Sequence, residues 1–163
     1  MDLFLIHWPN PKALRENDAW KAGNAGAWKA MEEAYKEGKV RAIGVSNFMQ
    51  HHLEALFETA EIVPHVNQIL LAPGCTQEDL VAYCRERDIL LEAYSPLGTG
   101  SIFGNEDVEA VAERNGKSVA QVALSWSLQK GFLPLPKSVT PKILKPTWIS
   151  LTLICQRKTC SLG

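Results

Sequence analysis

The chain has 163 residues, 46% apolar and 21% charged, with a formal net charge of −1. That length supports one domain with a core of its own. The near-neutral balance gives no electrostatic footprint for nucleic acid or an anionic membrane, and no apolar run approaches the roughly 20 residues of a bilayer span.

The first element is an apolar, partly β-branched run over residues 2–6, halted at His7-Trp8-Pro9. A nearly continuous apolar strand reads as one buried on both faces of a parallel sheet. Proline cannot donate to a ladder, so the strand ends there. His7 then sits at a strand's carboxyl end, where α/β proteins place ligands and chemistry. A polar loop bearing proline and glycine is expected over residues 10–26, then a helix over 27–37 with Trp28, Met31 and Tyr35 on one face and lysines and glutamates on the other. Gly38 is its expected C′ glycine. Residues 40–45 read as a strand followed directly by Ser46-Asn47, and residues 49–60 as a helix with Leu53, Leu56 and Phe57 buried. A strand follows within 63–71, ending near Val66-Asn67-Gln68. Thr76 reads as the N-cap of a helix opened by Gln77-Glu78-Asp79, with Leu80, Val81 and Cys84 inward.

Residues 89–94 read as a strand closed by Ser95-Pro96-Leu97-Gly98. Residues 106–114 read as a helix ended by Asn115-Gly116, and Ser118-Val-Ala-Gln121 as a capping box opening a helix through Leu128. A short strand over 132–136 follows Gly131. Cys75, Cys84, Cys155 and Cys160 form no Cys-x-x-Cys pair and no His/Cys ligand spacing, so no metal is expected. Cys75 and Cys84 read as reduced thiols. The segment after Met1 is too short and lacks the basic flank of a signal peptide, so a cytoplasmic protein is expected.

Strands alternating with helices imply parallel strands joined by right-handed crossovers. Five such units suit either a doubly wound sheet or part of an eight-stranded barrel. The glycines at 23, 26, 98 and 100 lack the G-x-G-x-x-G spacing of a dinucleotide turn. Polar residues instead follow each strand in turn: His7, Ser46-Asn47, Gln68, Tyr94-Ser95 and Lys137-Ser138. Polar side chains at successive carboxyl ends are the barrel arrangement.

Five segments then carry a resemblance: Asp2-Leu-Phe-Leu-Ile-His-Trp-Pro9, Gly38-Lys-Val-Arg-Ala-Ile-Gly-Val-Ser-Asn-Phe48, Val66-Asn-Gln68, Ala93-Tyr-Ser-Pro-Leu-Gly98 and Leu135-Pro-Lys-Ser-Val-Thr-Pro141. In this order they closely resemble the aldo-keto reductases, and most nearly the bacterial type typified by 2,5-diketo-gluconate reductase. The resemblance implies a partial (β/α)8 TIM barrel, strands four to eight of the family fold, over residues 1–141. It implies an NADPH-dependent oxidoreductase that reduces a small aldehyde or ketone to an alcohol. His7 matches the active-site histidine that orients the carbonyl, and Trp8 an aromatic wall of the substrate pocket. Ser46, Asn47 and Gln68 match the groups that hydrogen-bond the nicotinamide carboxamide, and Tyr94 the aromatic stacked on that ring. Ser95 and Leu97 match pyrophosphate contacts, and Lys137 and Ser138 the residues at the 2′-phosphate.

The chain departs from the family pattern at both ends. The family's proton-donating tyrosine, with the aspartate and lysine that tune it, belongs to earlier strands and has no counterpart here, so little activity is expected of this chain alone. Five strands of eight would also leave open edges that invite self-association. After Pro141 the family's arginine and asparagine are replaced by Ile143 and Thr147, and residues 142–163 are basic, without an acid and without clear periodicity. Permissible codons for residues 143–160, read from the third base of each, yield an acidic sequence with the asparagine in place, so this tail reads as a frameshift product. Two other readings are a non-catalytic fragment that binds cofactor or assembles with a complementary chain, and an unproductive gene product without a stable fold.

Overall fold

The computed structural model describes residues 1–9 and 18–137. Five strands and five helices run in the order β1 (Leu3–Ile6), α1 (Ala19–Lys36), β2 (Ala42–Ser46), α2 (Gln50–Phe57), β3 (Val66–Leu70), α3 (Glu78–Arg85), β4 (Leu90–Tyr94), α4 (Glu106–Arg114), α5 (Val119–Gln129) and β5 (Leu133–Leu135). The strand order is β1-β2-β3-β4-β5. A doubly wound sheet reverses its order at a switch point, whereas strands laid down in chain order are those of a winding barrel. No helix among the described residues is long and apolar enough to cross a membrane.

The chain forms two compact units. The first comprises Met1–Ile69 and Glu78–Leu91. Here β1 pairs in parallel with β2, Leu3 opposite Ala42, and β2 with β3, Gly44 opposite Val66. Helix α1 packs on β1, β2 and α2. Trp28, Ile43, Val45, Phe48, Leu53, Leu56, Ile69 and Cys84 are buried to within 2%. β1 is less covered than expected: Phe4 is 45% exposed, since β1 ends the strand order rather than lying inside it. β2, with neighbours on both sides, is buried from Ile43 to Ser46.

Helix α1 corrects the expected loop over residues 10–26 for its described part, beginning at Ala19 and running through Gly23 and Gly26. Each glycine costs roughly 1 kcal/mol relative to alanine in a helix. Burial of Trp20 and a bond from Asn24 Nδ2 to the Pro9 carbonyl (2.9 Å) offset that cost. The outer-face assignment of the glutamates also fails at Glu32, which is buried. Its Oε1 accepts from the backbone N–H groups of Glu61 and Ile62, each at 2.8 Å, and so fixes the segment leading into β3. Trp28 Nε1 donates to the Ile62 carbonyl in the same segment (3.1 Å). Helix α3 begins at Glu78, so Thr76 is not its N-cap; the residue before it is Gln77, at φ 46°.

The second unit comprises Leu70–Gln77 and the described residues from Glu92 onward. The end of β4 pairs in parallel with β5, Ala93 opposite Pro134. A proline in β5 is tolerable because this strand ends the order. Helix α5 opens on the expected capping box: Gln121 N–H donates to Ser118 Oγ (3.2 Å) and Ser118 N–H to Gln121 Oε1 (3.0 Å). Asn105 caps α4 through Val108 N–H (3.1 Å). Trp126 and Phe132 meet with ring centroids 5.9 Å apart.

Candidate functional site

In the first unit the ends of β1 and β2 and the middle of β3 carry polar groups in direct contact. β1 runs into His7 and Trp8, both exposed, with ring centroids 6.0 Å apart. Pro9 behind them is buried, and its carbonyl is held by Asn24 of α1. β2 ends at Ser46, which is 2% exposed, and Asn47, which is 8% exposed. Asn47 adopts φ 60°, a left-handed conformation that asparagine tolerates better than most residues. Its Nδ2 donates to the His7 carbonyl (3.0 Å) and to Ser46 Oγ (3.1 Å). Ser46 Oγ donates to the Gln68 carbonyl (2.9 Å), as does the Asn47 N–H (3.0 Å). The ends of β1 and β2 are thus tied to the middle of β3 through the His7 and Gln68 backbone carbonyls; β3 runs from Val66 to Leu70, so it begins rather than ends at Val66-Asn67-Gln68.

The set brings together one hydroxyl and two amide side chains, neutral groups of the kind a carboxamide pairs with, and in this structure the Ser46 hydroxyl and both Asn47 Nδ2 hydrogens are engaged within the set. No carboxylate stands among His7, Ser46, Asn47 and Gln68.

Two buried groups behind the Asn47 turn were not singled out in the sequence. Asn67, fully buried, donates from Nδ2 to the Phe48 carbonyl (2.8 Å), while its Oδ1 has no hydrogen-bond partner among the described residues. His52, on the first turn of α2, accepts at Nδ1 from the Met49 N–H (3.1 Å). The sequence signal was present, since His52 is the third residue of α2, where a capping side chain reaches back. Histidine is simply not the Glu or Gln that the motif names. Burial, with His51 alongside, depresses the His52 pKa to about 4, which leaves Nδ1 unprotonated and able to accept.

In the second unit β4 ends at Tyr94, half-buried, whose hydroxyl pKa is raised by burial and by the Cys75 thiol. Ser95 follows at φ 47°, then Leu97 and a 3-10 turn over Gly98–Gly100. Gly98 sits at φ 56°, a left-handed conformation that favours glycine, and a Cβ there would crowd the Ser101 hydroxyl. Lys137 lies two residues beyond β5 and is exposed. Ser138 and the tail over 142–163 lie outside the described residues.

The model of the aldo/keto reductase family matches residues 1–153. Glyoxal reductase of Bacillus subtilis is 48% identical over 139 residues, covering 85% of this chain and 47% of that protein. Glycerol 2-dehydrogenase (NADP(+)) of Hypocrea jecorina is 43% identical over 163 aligned positions, covering 86% of this chain and 51% of that protein. Among solved structures, a mutant of Gox0644 in complex with NADPH is similar with a TM-score of 0.89 at 35% identity, covering 99% of this chain and 57% of that one. The chain therefore spans about half the length of the curated relatives it matches.

Proposed function

The chain belongs to the aldo/keto reductase family, and from that premise we propose that it carries the cofactor-facing part of an NADPH-dependent carbonyl reductase. The observation that carries the reading is the hydrogen-bonded set joining the ends of β1 and β2 to the middle of β3, where Asn47 joins the His7 carbonyl to Ser46, and Ser46 joins the Gln68 carbonyl. NADPH, when bound, supplies the hydride that reduces an aldehyde or ketone. Ser46, Asn47 and Gln68 hold the carboxamide and so fix which ring face is presented, a positioning contribution. Tyr94 stacks on the ring, and Ser95 and Leu97 line the pyrophosphate. The Lys137 ammonium, with Ser138, favours the 2′-phosphate of NADPH over the bare ribose of NADH. His7 orients the carbonyl oxygen from its exposed strand end, with Trp8 as an apolar wall. The substrate is a small carbonyl compound.

The chain has three tyrosines, and none is assigned to proton donation: Tyr35 rests on the His65 ring, Tyr83 lies under the Arg87 guanidinium, and Tyr94 is the stacking residue. A positioned acid is worth about 10²- to 10⁴-fold in rate, so this chain binds cofactor but turns over slowly. Calorimetric titration with NADPH and NADH, followed by a small aldehyde, tests the reading. NADPH is expected to bind the more tightly, Lys137→Ala to narrow the difference, and NADPH oxidation to stay slow. Equal affinities for the two cofactors, unchanged in Lys137→Ala, would contradict the assignment of Lys137; fast oxidation by the pure chain would contradict the missing acid.

A further inference from the structure

The turn Asn47-Phe48-Met49 has to hold a non-glycine residue at φ 60° while presenting the side chains expected at the cofactor. A left-handed residue persists where its surroundings over-determine it. Three backbone anchors do so here. The Asn47 N–H is held by the Gln68 carbonyl, the Phe48 carbonyl by Asn67 Nδ2, and the Met49 N–H by His52 Nδ1. Two of the three come from buried side chains outside the proposed cofactor contacts. Asn67 is fully buried, and its Oδ1 has no hydrogen-bond partner among the described residues.

His52 is the anchor that links this turn to the helices around it. Its ring meets Trp20 of α1 edge-on with centroids 4.8 Å apart, Phe48 of the turn at 5.8 Å, and His51 at 3.8 Å. The ring is thereby locked with Nδ1 toward the Met49 N–H. We infer that His52 is a positioning residue of the cofactor site: it caps α2 at Met49 and so sets the left-handed Asn47 turn that faces the nicotinamide. This rests on the function proposed above, because without nicotinamide at Asn47 there is nothing to position.

The test compares the wild-type chain with His52→Leu, which keeps bulk but cannot accept, and His52→Gln, which can reach back as a capping residue does. Each is titrated with NADPH and with adenosine 2′,5′-bisphosphate, which lacks nicotinamide. Hydrogen exchange at the Met49 amide is followed alongside. His52→Leu is expected to weaken NADPH about five- to tenfold, the worth of one hydrogen bond, and the bisphosphate by less than about twofold. His52→Gln restores both NADPH affinity and Met49 protection. Equal weakening of both ligands, or no weakening of NADPH, overturns the positioning role. If the wild-type chain binds neither ligand, the functional reading falls with it, and unchanged Met49 exchange in His52→Leu would separately overturn the cap.

Discussion

Gly44 shows what a single position in β2 is asked to do. A Cβ on Gly44 would lie 2.5 Å from the Val66 carbonyl oxygen and 2.8 Å from Leu5 Cδ2. The first contact is to backbone in the neighbouring strand, so relief would mean separating β2 from β3, and with it Ser46 from Gln68. Gly44→Ala is therefore expected to lower stability by about 2–3 kcal/mol, as overpacking does. Gly26, exposed in α1, is the counter-case: nothing lies within 4 Å of its would-be Cβ. Gly26→Ala should gain about 0.5–1 kcal/mol. Chemical denaturation of the two variants checks the pair, and equal effects would show that close approach at Gly44 is not what its glycine serves. His7, Ser46, Asn47 and Gln68 were legible as candidates, because imidazole, hydroxyl and amide groups stand out from the apolar runs beside them. Glycine's reason for being at 44 was not legible, since only the neighbouring strand supplies it.

At the scale of elements, the sequence was most readable where the rules are local. Helix α4 has the expected bounds, and α5 opens at the expected Ser118 and Gln121. Helix α1 was read eight residues short, 27 in place of 19. Its glycines argued for a loop, and the forces that overrule them, burial of Trp20 and the Asn24 bond to Pro9, are long-range. Glu32 was misplaced for the same reason: its partners lie 29 and 30 residues away. Helix α2 makes a prediction about pH. His52 has its pKa lowered by burial, with His51 beside it, from the ordinary 6.5 to about 4 in the folded chain. Its protonated form is favoured by unfolding, so stability is fully present above about pH 6.5 and is lost as pH falls toward 4. The loss should reach about 3 kcal/mol, and His52→Gln should flatten that part of the profile. Denaturation midpoints measured between these pH values check it, and an unchanged slope in His52→Gln would assign the loss elsewhere.

For the whole molecule, alternation of strands and helices was enough to reach a parallel α/β fold, and the chain-order strands choose the barrel over the doubly wound sheet. The family match agrees over residues 1–153. What the two units contribute differs in kind. The first holds His7, Ser46, Asn47 and Gln68 in one hydrogen-bonded set, and the second holds Tyr94 at the end of β4, Ser95 and Leu97 just after it, and Lys137 after β5. Under the proposed function the first set receives a nicotinamide. The measurement that tests it most directly is NADPH titration of the wild-type chain and of Asn47→Ala, each first shown to melt cooperatively. The wild-type chain should bind saturably. Asn47→Ala, which loses two side-chain hydrogen bonds and the tolerance of asparagine for φ 60°, should bind at least about tenfold more weakly. A cooperatively folded wild-type chain that shows no saturable binding, or an Asn47→Ala variant of equal affinity, would contradict the account.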